Sequence, residues 1–200
     1  MWITFAFGSG AGLMVIGNLA SIVQNQIGLP ALSAIAISAL AVGNGGGRIL
    51  YGMLSDRIGR KNILLIAFIW QALLIAALYF FNSDSILANS GVLLVFVAMV
   101  GANFGAILAV FPAMTKDYFG PENLAMNYGI LYTAWGLGGF MVSQLASVIK
   151  DNTGSFDSAY LLAVGLLIAA AVMMSFLKSP QDERLETISQ DGELVSASTD

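Results

Sequence analysis

No acidic or basic side chain occurs before Arg48. That feature constrains the fold more than any other. A soluble domain carries about 25% charged residues to clothe its water-facing surface. The whole chain here carries 10%, against 58% hydrophobic residues, so lipid is the solvent it is built for. Six apolar stretches, at about 2–24, 31–53, 62–81, 90–113, 127–149 and 158–177, each come near the ~20 residues with which a helix crosses ~30 Å of hydrocarbon. The breaks between them carry turn chemistry: Gly28 and Pro30, Asp56 to Lys61, Asn82 to Asp84, Gly120 and Pro121, and Asp151 to Gly154. Backbone groups facing lipid must be satisfied within their own segment, which demands helices, and the alternation of a β-barrel strand is absent. The expected fold is all-α: a six-helix membrane bundle over residues 1–178. A polar tail over 179–200 follows, acidic through Asp182, Glu183, Glu186, Asp191, Glu193 and Asp200, and expected to be disordered.

Basic residues set the orientation. Arg57, Arg60 and Lys61 lie between the second and third stretches, Lys116 between the fourth and fifth, and Lys178 and Arg184 after the sixth. Only Lys150 falls on the other side. The positive-inside rule then puts both chain ends in the cytoplasm, in a multi-pass plasma-membrane protein.

Residue types exclude several classes. With no Cys and no His, disulfides, thiol catalysis and Cys/His metal sites are ruled out. No acid pair lies within the apolar stretches and no P-loop pattern occurs, so an enzyme is not expected. Nor is a cofactor, a metal or a nucleic-acid partner.

The charged knot after the second stretch is more specific. Gly52, Asp56, Arg57, Gly59, Arg60 and Lys61 spell G-x-x-x-D-R-x-G-R-K. A small residue at Gly52 admits a close helix neighbour, Asp56 can meet a helix dipole or pair with an arginine, and Gly59 permits a tight turn. Setting topology needs basic residues alone, without the aspartate or the glycines. The pattern resembles the signature loop of the major facilitator superfamily, where this loop holds the cytoplasmic gate in one state and releases it in the other. The resemblance implies a carrier of two six-helix halves, each a pair of inverted three-helix repeats. A wider resemblance, carried by "GLMVIGNLA", "GGGRILYGMLSDRIGRKN", "FPAMTKDYFGPENLAMNYGILYTAWGLGG" and "DNTGSF", is to the oxalate/formate antiporter family. It implies that this chain is the C-terminal half, whose partner is an N-terminal half or a second copy.

Arg48 stands inside the second apolar stretch, eight residues before Asp56. An arginine within the bilayer costs at least ~2.5 kcal/mol and usually faces a cavity. Snorkelling to the cytoplasmic headgroups is one reading. However, side chains lean toward the N-terminus of their helix, here toward the bilayer centre, and Arg48 lies about 9 Å above a helix exit near Leu54. Pairing with an acid is another reading; no Asp or Glu lies within these stretches, so that acid would come from the missing half. The third is a cation for a substrate anion, and the family resemblance implies that role, a carboxylate ligand, at this position.

Gly43, Gly45, Gly46 and Gly47 surround Arg48, and Gly136, Gly138 and Gly139 interrupt the fifth stretch, the counterpart of the second. Paired interruptions of this kind point to a transport site, while small residues also serve close helix packing. Tyr128, Tyr132 and Trp135 fall on one face of the fifth helix, with Trp135 about 12 Å in from its start. Tyr128 reads as an interfacial residue. Tyr132 and Trp135 either wall the cavity, offering hydroxyl and indole N–H to an anion, or pack against neighbours. Asn103 and Phe104 in the fourth stretch are candidates for the same chamber.

One departure from the family bears on substrate. Oxalate-exchanging relatives carry a second cation in the fifth helix, whereas no Lys or Arg occurs here between Lys116 and Lys150. A single arginine matches a monocarboxylate of the formate, pyruvate or lactate class better than oxalate. The expected function is alternating-access exchange of small carboxylate anions. A proton-coupled monocarboxylate symporter of the same fold, and a six-helix chain that serves as a truncated half or interaction subunit, remain as alternatives.

Overall fold

The computed structural model describes residues 1–80, 86 and 89–178. The polar tail from 179 onward and the Asn82–Asp84 break lie outside the described residues. Six long helices run through the rest: α1 Trp2–Ser21, α2 Ser33–Ile58, α3 Arg60–Phe80, α4 Ser90–Phe119, α5 Leu124–Thr153 and α6 Asp157–Ser175. A π-helical turn over Ile22–Gln26 extends α1. Gly28 then breaks the helix at φ 77°, and Pro30 opens a short 3₁₀ turn into α2. Gly59, Gly120 and Gly154 likewise take positive φ where α2, α4 and α5 stop, a conformation that side-chain-bearing residues rarely adopt. Asn89 caps α4, its Oδ1 accepting from the N–H groups of Gly91 and Val92 at 3.0 and 3.3 Å.

Several helices run past the apolar stretches that predict them. α2 continues to Ile58, α4 passes through Pro112 to Phe119, and α5 starts at Leu124. A helix the length of α4 measures about 45 Å, longer than the ~30 Å hydrocarbon core, so its ends reach beyond lipid. The six expected helices are all present, and they differ in apolarity. Among the described residues, four helices are long and apolar enough to cross a membrane: Trp2–Gln26, Arg60–Phe80, Ser90–Phe119 and Asp157–Ser175. α2 and α5 fall short because glycines dilute both, and because α2 adds Asn44, Arg48, Asp56 and Arg57.

Packing follows a paired scheme. α2 lies chiefly along α4, α5 along α1, and α3 against α6, while α1 also meets α6 and α3 meets α4. Exchanging the first three helices for the last three leaves this scheme unchanged. Between helices in lipid there is little hydrophobic drive, so cohesion depends on how closely backbones approach. Glycines supply that approach. A Cβ on Gly43 or Gly47 would strike the backbone of Ala98 or Ala102 on α4, and one on Gly101 or Gly105 would strike α2 at Leu40 or Asn44. The α1–α5 seam is built alike: a Cβ on Gly10 would meet the carbonyl oxygen of Gly138 at 2.7 Å, and one on Gly138 would strike Ala6. Gly45, Gly46 and Gly136 have nothing within 4 Å, so the two readings of these glycines divide residue by residue. At the centre, Phe5 of α1 stacks on Phe111 of α4, with ring centroids 4.3 Å apart at 15°.

Candidate functional site

Arg48 lies on an exposed stretch of α2. Its Nε donates to Oδ1 of Asn44 at 3.0 Å. Asn44 is one turn toward the helix N-terminus, so the side chain leans the way helix geometry predicts, away from the charged knot. Arg48 stands ten residues before the end of α2 at Ile58, a rise of about 15 Å. Snorkelling to that end would reverse this lean. Among the described residues no carboxylate lies within ion-pairing distance of Arg48. The guanidinium is close enough to Tyr128 of α5 for its charge to act on the phenol. Asn44 was not singled out from the sequence, where only its i,i+4 spacing from Arg48 could have marked it.

From Tyr128 an aromatic series runs along α5. Its ring centroid is 5.5 Å from that of Tyr132, and Tyr132 lies 5.2 Å from Trp135 with the planes only 9° apart. Tyr132 is 39% exposed, so one side of this slab stays open. The indole Nε1–H of Trp135 is shielded and has no acceptor. Buried donors are nearly always paired, so an indole N–H with no acceptor among the described residues is chemically notable. Trp135 is eleven residues from the start of α5, about 17 Å along the axis, a depth matching that of Arg48.

Asn103 and Phe104 are not brought to this site. Asn103 is fully buried, and its Nδ2 donates to the Ala67 carbonyl at 2.6 Å and to Gln71 Oε1 at 2.9 Å, both on α3. Phe104 is buried too, its ring filling the space beside Gly12 of α1. Both hold helices together. Their rotation about α4 cannot be read from a stretch that is apolar on all sides.

The charged knot closes the turn between α2 and α3. Arg60 meets Asp56 at 2.6 Å and Asp117 of α4 at 3.3 Å, and its Nη1 also donates to Ser55 Oγ. Gly59 at φ 90° makes the reversal possible, and Asn62 Nδ2 closes the end of α2 by donating to the Ile58 carbonyl at 2.9 Å. Asp56 thus pairs with an arginine, one of its two predicted roles. Gly52 has nothing within 4 Å, so among the described residues no helix uses it for close approach. Arg57 is exposed and Lys61 half-buried. Asp117, the partner on α4, was missed because nothing local marks it.

At the opposite end Lys150 donates to Ser21 Oγ at 2.6 Å and stands 4.9 Å over the Phe156 ring. A cavity of about 340 Å³ opens there, lined by Asn25, Gln26, Tyr79 and Asp157 among others, and Arg48 takes no part in it.

Apolar helices, an ion cluster at one end and an exposed guanidinium within the span of α2 fit a multi-pass membrane transporter. The chain belongs to the Major Facilitator Superfamily, whose family model matches residues 1–198. It is 34% identical over 129 residues to the "Uncharacterized MFS-type transporter YhjX" of Escherichia coli, covering 64% of this chain and 31% of that one. It is 27% identical over 181 residues to the oxalate:formate antiporter of Oxalobacter formigenes, covering 88% and 41%. It is also 25% identical over 146 residues to monocarboxylate transporter 12 of Rattus norvegicus, covering 73% and 30%. The matched region thus spans less than half the length of each of these relatives. They are carriers by name, and this chain is of a transporter family, not an enzyme family.

Proposed function

We propose that this chain is the C-terminal six-helix half of a secondary carrier that exchanges small monocarboxylate anions by alternating access, with Arg48 as the carboxylate ligand. The observation that carries the reading is a guanidinium about 15 Å from the end of its helix, with a neutral amide as its neighbour and no acid paired with it among the described residues. The open Tyr132–Trp135 slab supplies an apolar wall and an unused donor, while Arg48 supplies charge. One cation without a second suits one carboxylate, because a further buried anionic charge would go uncompensated. Among the relatives, the oxalate:formate antiporter and monocarboxylate transporter 12 are carboxylate carriers by name.

Alternating access needs a second half, and the faces of α2 and α5 suit one. Val42, Ile49 and Met53 on α2 and Ile130, Leu137 and Phe140 on α5 are exposed, on the helices least able to face lipid alone. The Asp56–Arg60–Asp117 cluster then sits at the cytoplasmic gate of a plasma-membrane carrier whose chain ends both face the cytoplasm.

Exchange follows from electrostatics. The acids among the described residues, Asp56, Asp117, Glu122, Asp151 and Asp157, stand at helix ends or turns, so none is placed mid-span to carry a proton. An empty site holding bare Arg48 is costly to occlude, so an anion accompanies each turn. Proteoliposomes of the intact protein, preloaded or not with unlabelled formate or lactate, test this. Labelled uptake should require the internal anion, and equal uptake without preloading would remove exchange.

A further inference from the structure

We infer that Asn44 is a specificity-determining residue that takes one edge of the Arg48 guanidinium and leaves only the other for substrate. The inference rests on the proposed role of Arg48 as carboxylate ligand and goes on to say how that ligand presents itself. A guanidinium offers a carboxylate two bidentate edges: a side edge made of Nε–H and one Nη, and an end edge made of both Nη groups. In this structure Nε is committed to Asn44 Oδ1 at 3.0 Å, so the side edge is closed. The end edge remains. Because the acceptor is a neutral amide, the full positive charge remains as well.

The arrangement is held in place by backbone. A Cβ on Gly105 would strike the carbonyl oxygen of Asn44 and come within 3.0 Å of the Arg48 nitrogen, and one on Gly101 would lie 3.1 Å from the Asn44 nitrogen. The turn carrying both residues is therefore seated on α4 with no side chain between. Two side chains four residues apart on a seated turn meet repeatedly in one geometry.

The consequence is discrimination. An end edge grips a single carboxylate group. A dicarboxylate that would engage both edges finds one occupied, and this half offers no second cation in the span. Asn44 thus favours monocarboxylates over oxalate while holding the fork for a productive pose.

The test is kinetic, in proteoliposomes of the intact protein with labelled lactate and labelled oxalate, comparing Asn44→Ala, Asn44→Asp and Arg48→Gln. Asn44→Ala frees the side edge. It is expected to raise KM for lactate about tenfold with little change in maximal rate, and to lower the lactate-to-oxalate ratio of kcat/KM by at least about fivefold. A purely structural asparagine would lower transport of both substrates alike and leave the ratio unchanged, which overturns the inference. Asn44→Asp keeps the size but pairs with the guanidinium, so uptake of both anions should be lost. Transport by Asn44→Asp at the level of the intact protein overturns the inference even where Asn44→Ala does not fold. If Arg48→Gln transports both anions normally, the role of Arg48 itself fails. If only Arg48→Gln is inactive, that role stands and the one given to Asn44 falls.

Discussion

Arg60, the first residue of α3, reaches Asp117 near the end of α4 at 3.3 Å while holding Asp56 at 2.6 Å. One guanidinium therefore ties the α2–α3 turn to a helix from the other half of the sequence. Arg60 is largely shielded, whereas Asp56 and Asp117 are well exposed, so each pair adds at most about 1 kcal/mol to folding. Such a contact does more for a conformational equilibrium than for stability.

Asp117→Asn should therefore leave the melting temperature in detergent within a few degrees and change the balance of conformations. Accessibility labelling of a cysteine placed near the α2–α3 turn should shift about two- to fivefold, the equivalent of ~0.5–1 kcal/mol. Unchanged labelling together with unchanged transport would make the cluster a bystander.

The glycines of α2 divide into packed and open ones. Gly47→Ala would push a methyl group into the Ala102 backbone, which cannot yield, and should cost roughly 1–3 kcal/mol. Gly46→Ala meets nothing within 4 Å and should be neutral to stabilising by up to about 1 kcal/mol through helix propensity. Thermal unfolding of the two variants in detergent separates them. Equal effects would contradict the packing of α2 on α4.

Asn103 ties α4 to α3 but leaves its own Oδ1 and the Nε2 of Gln71 unpaired. Removing one partner strands the other, while replacing both removes the polar cost altogether. Asn103→Ala should destabilise by about 1–3 kcal/mol. The double variant Asn103→Leu/Gln71→Leu should unfold near or above the parent temperature and still transport. Loss of transport in a stable double variant would return Asn103 to the substrate path.

Trp135 offers a donor that nothing accepts. Trp135→Phe keeps an aromatic ring against Tyr132 and should leave stability within about 1 kcal/mol. If the indole N–H serves the anion, KM for lactate should rise about three- to tenfold, the worth of one hydrogen bond. An unchanged KM would leave the slab a purely apolar wall.

Much of the architecture is legible in the sequence. The turns at Gly28, Gly59, Gly120 and Gly154 announce themselves because glycine is the residue that tolerates their positive φ. The lean of Arg48 toward Asn44, one turn nearer the helix N-terminus, is the one helix geometry favours. Three things were hidden. Helix ends beyond the lipid depend on local hydrogen bonding, not hydropathy, so α4 outran its apolar stretch. The rotation of Asn103 and Phe104 into the core was invisible because α4 is apolar all round. The meeting of Arg60 with Asp117 joins residues far apart in sequence, and no local pattern encodes that.

Direct binding tests the central claim most plainly. Equilibrium binding of labelled lactate to the purified intact protein should be saturable, and Arg48→Gln should weaken it at least about thirtyfold, the low end of the cost of removing one partner from a hydrogen-bonded charge pair that binding desolvates. A folded Arg48→Gln protein that binds lactate as tightly as the parent would contradict the account.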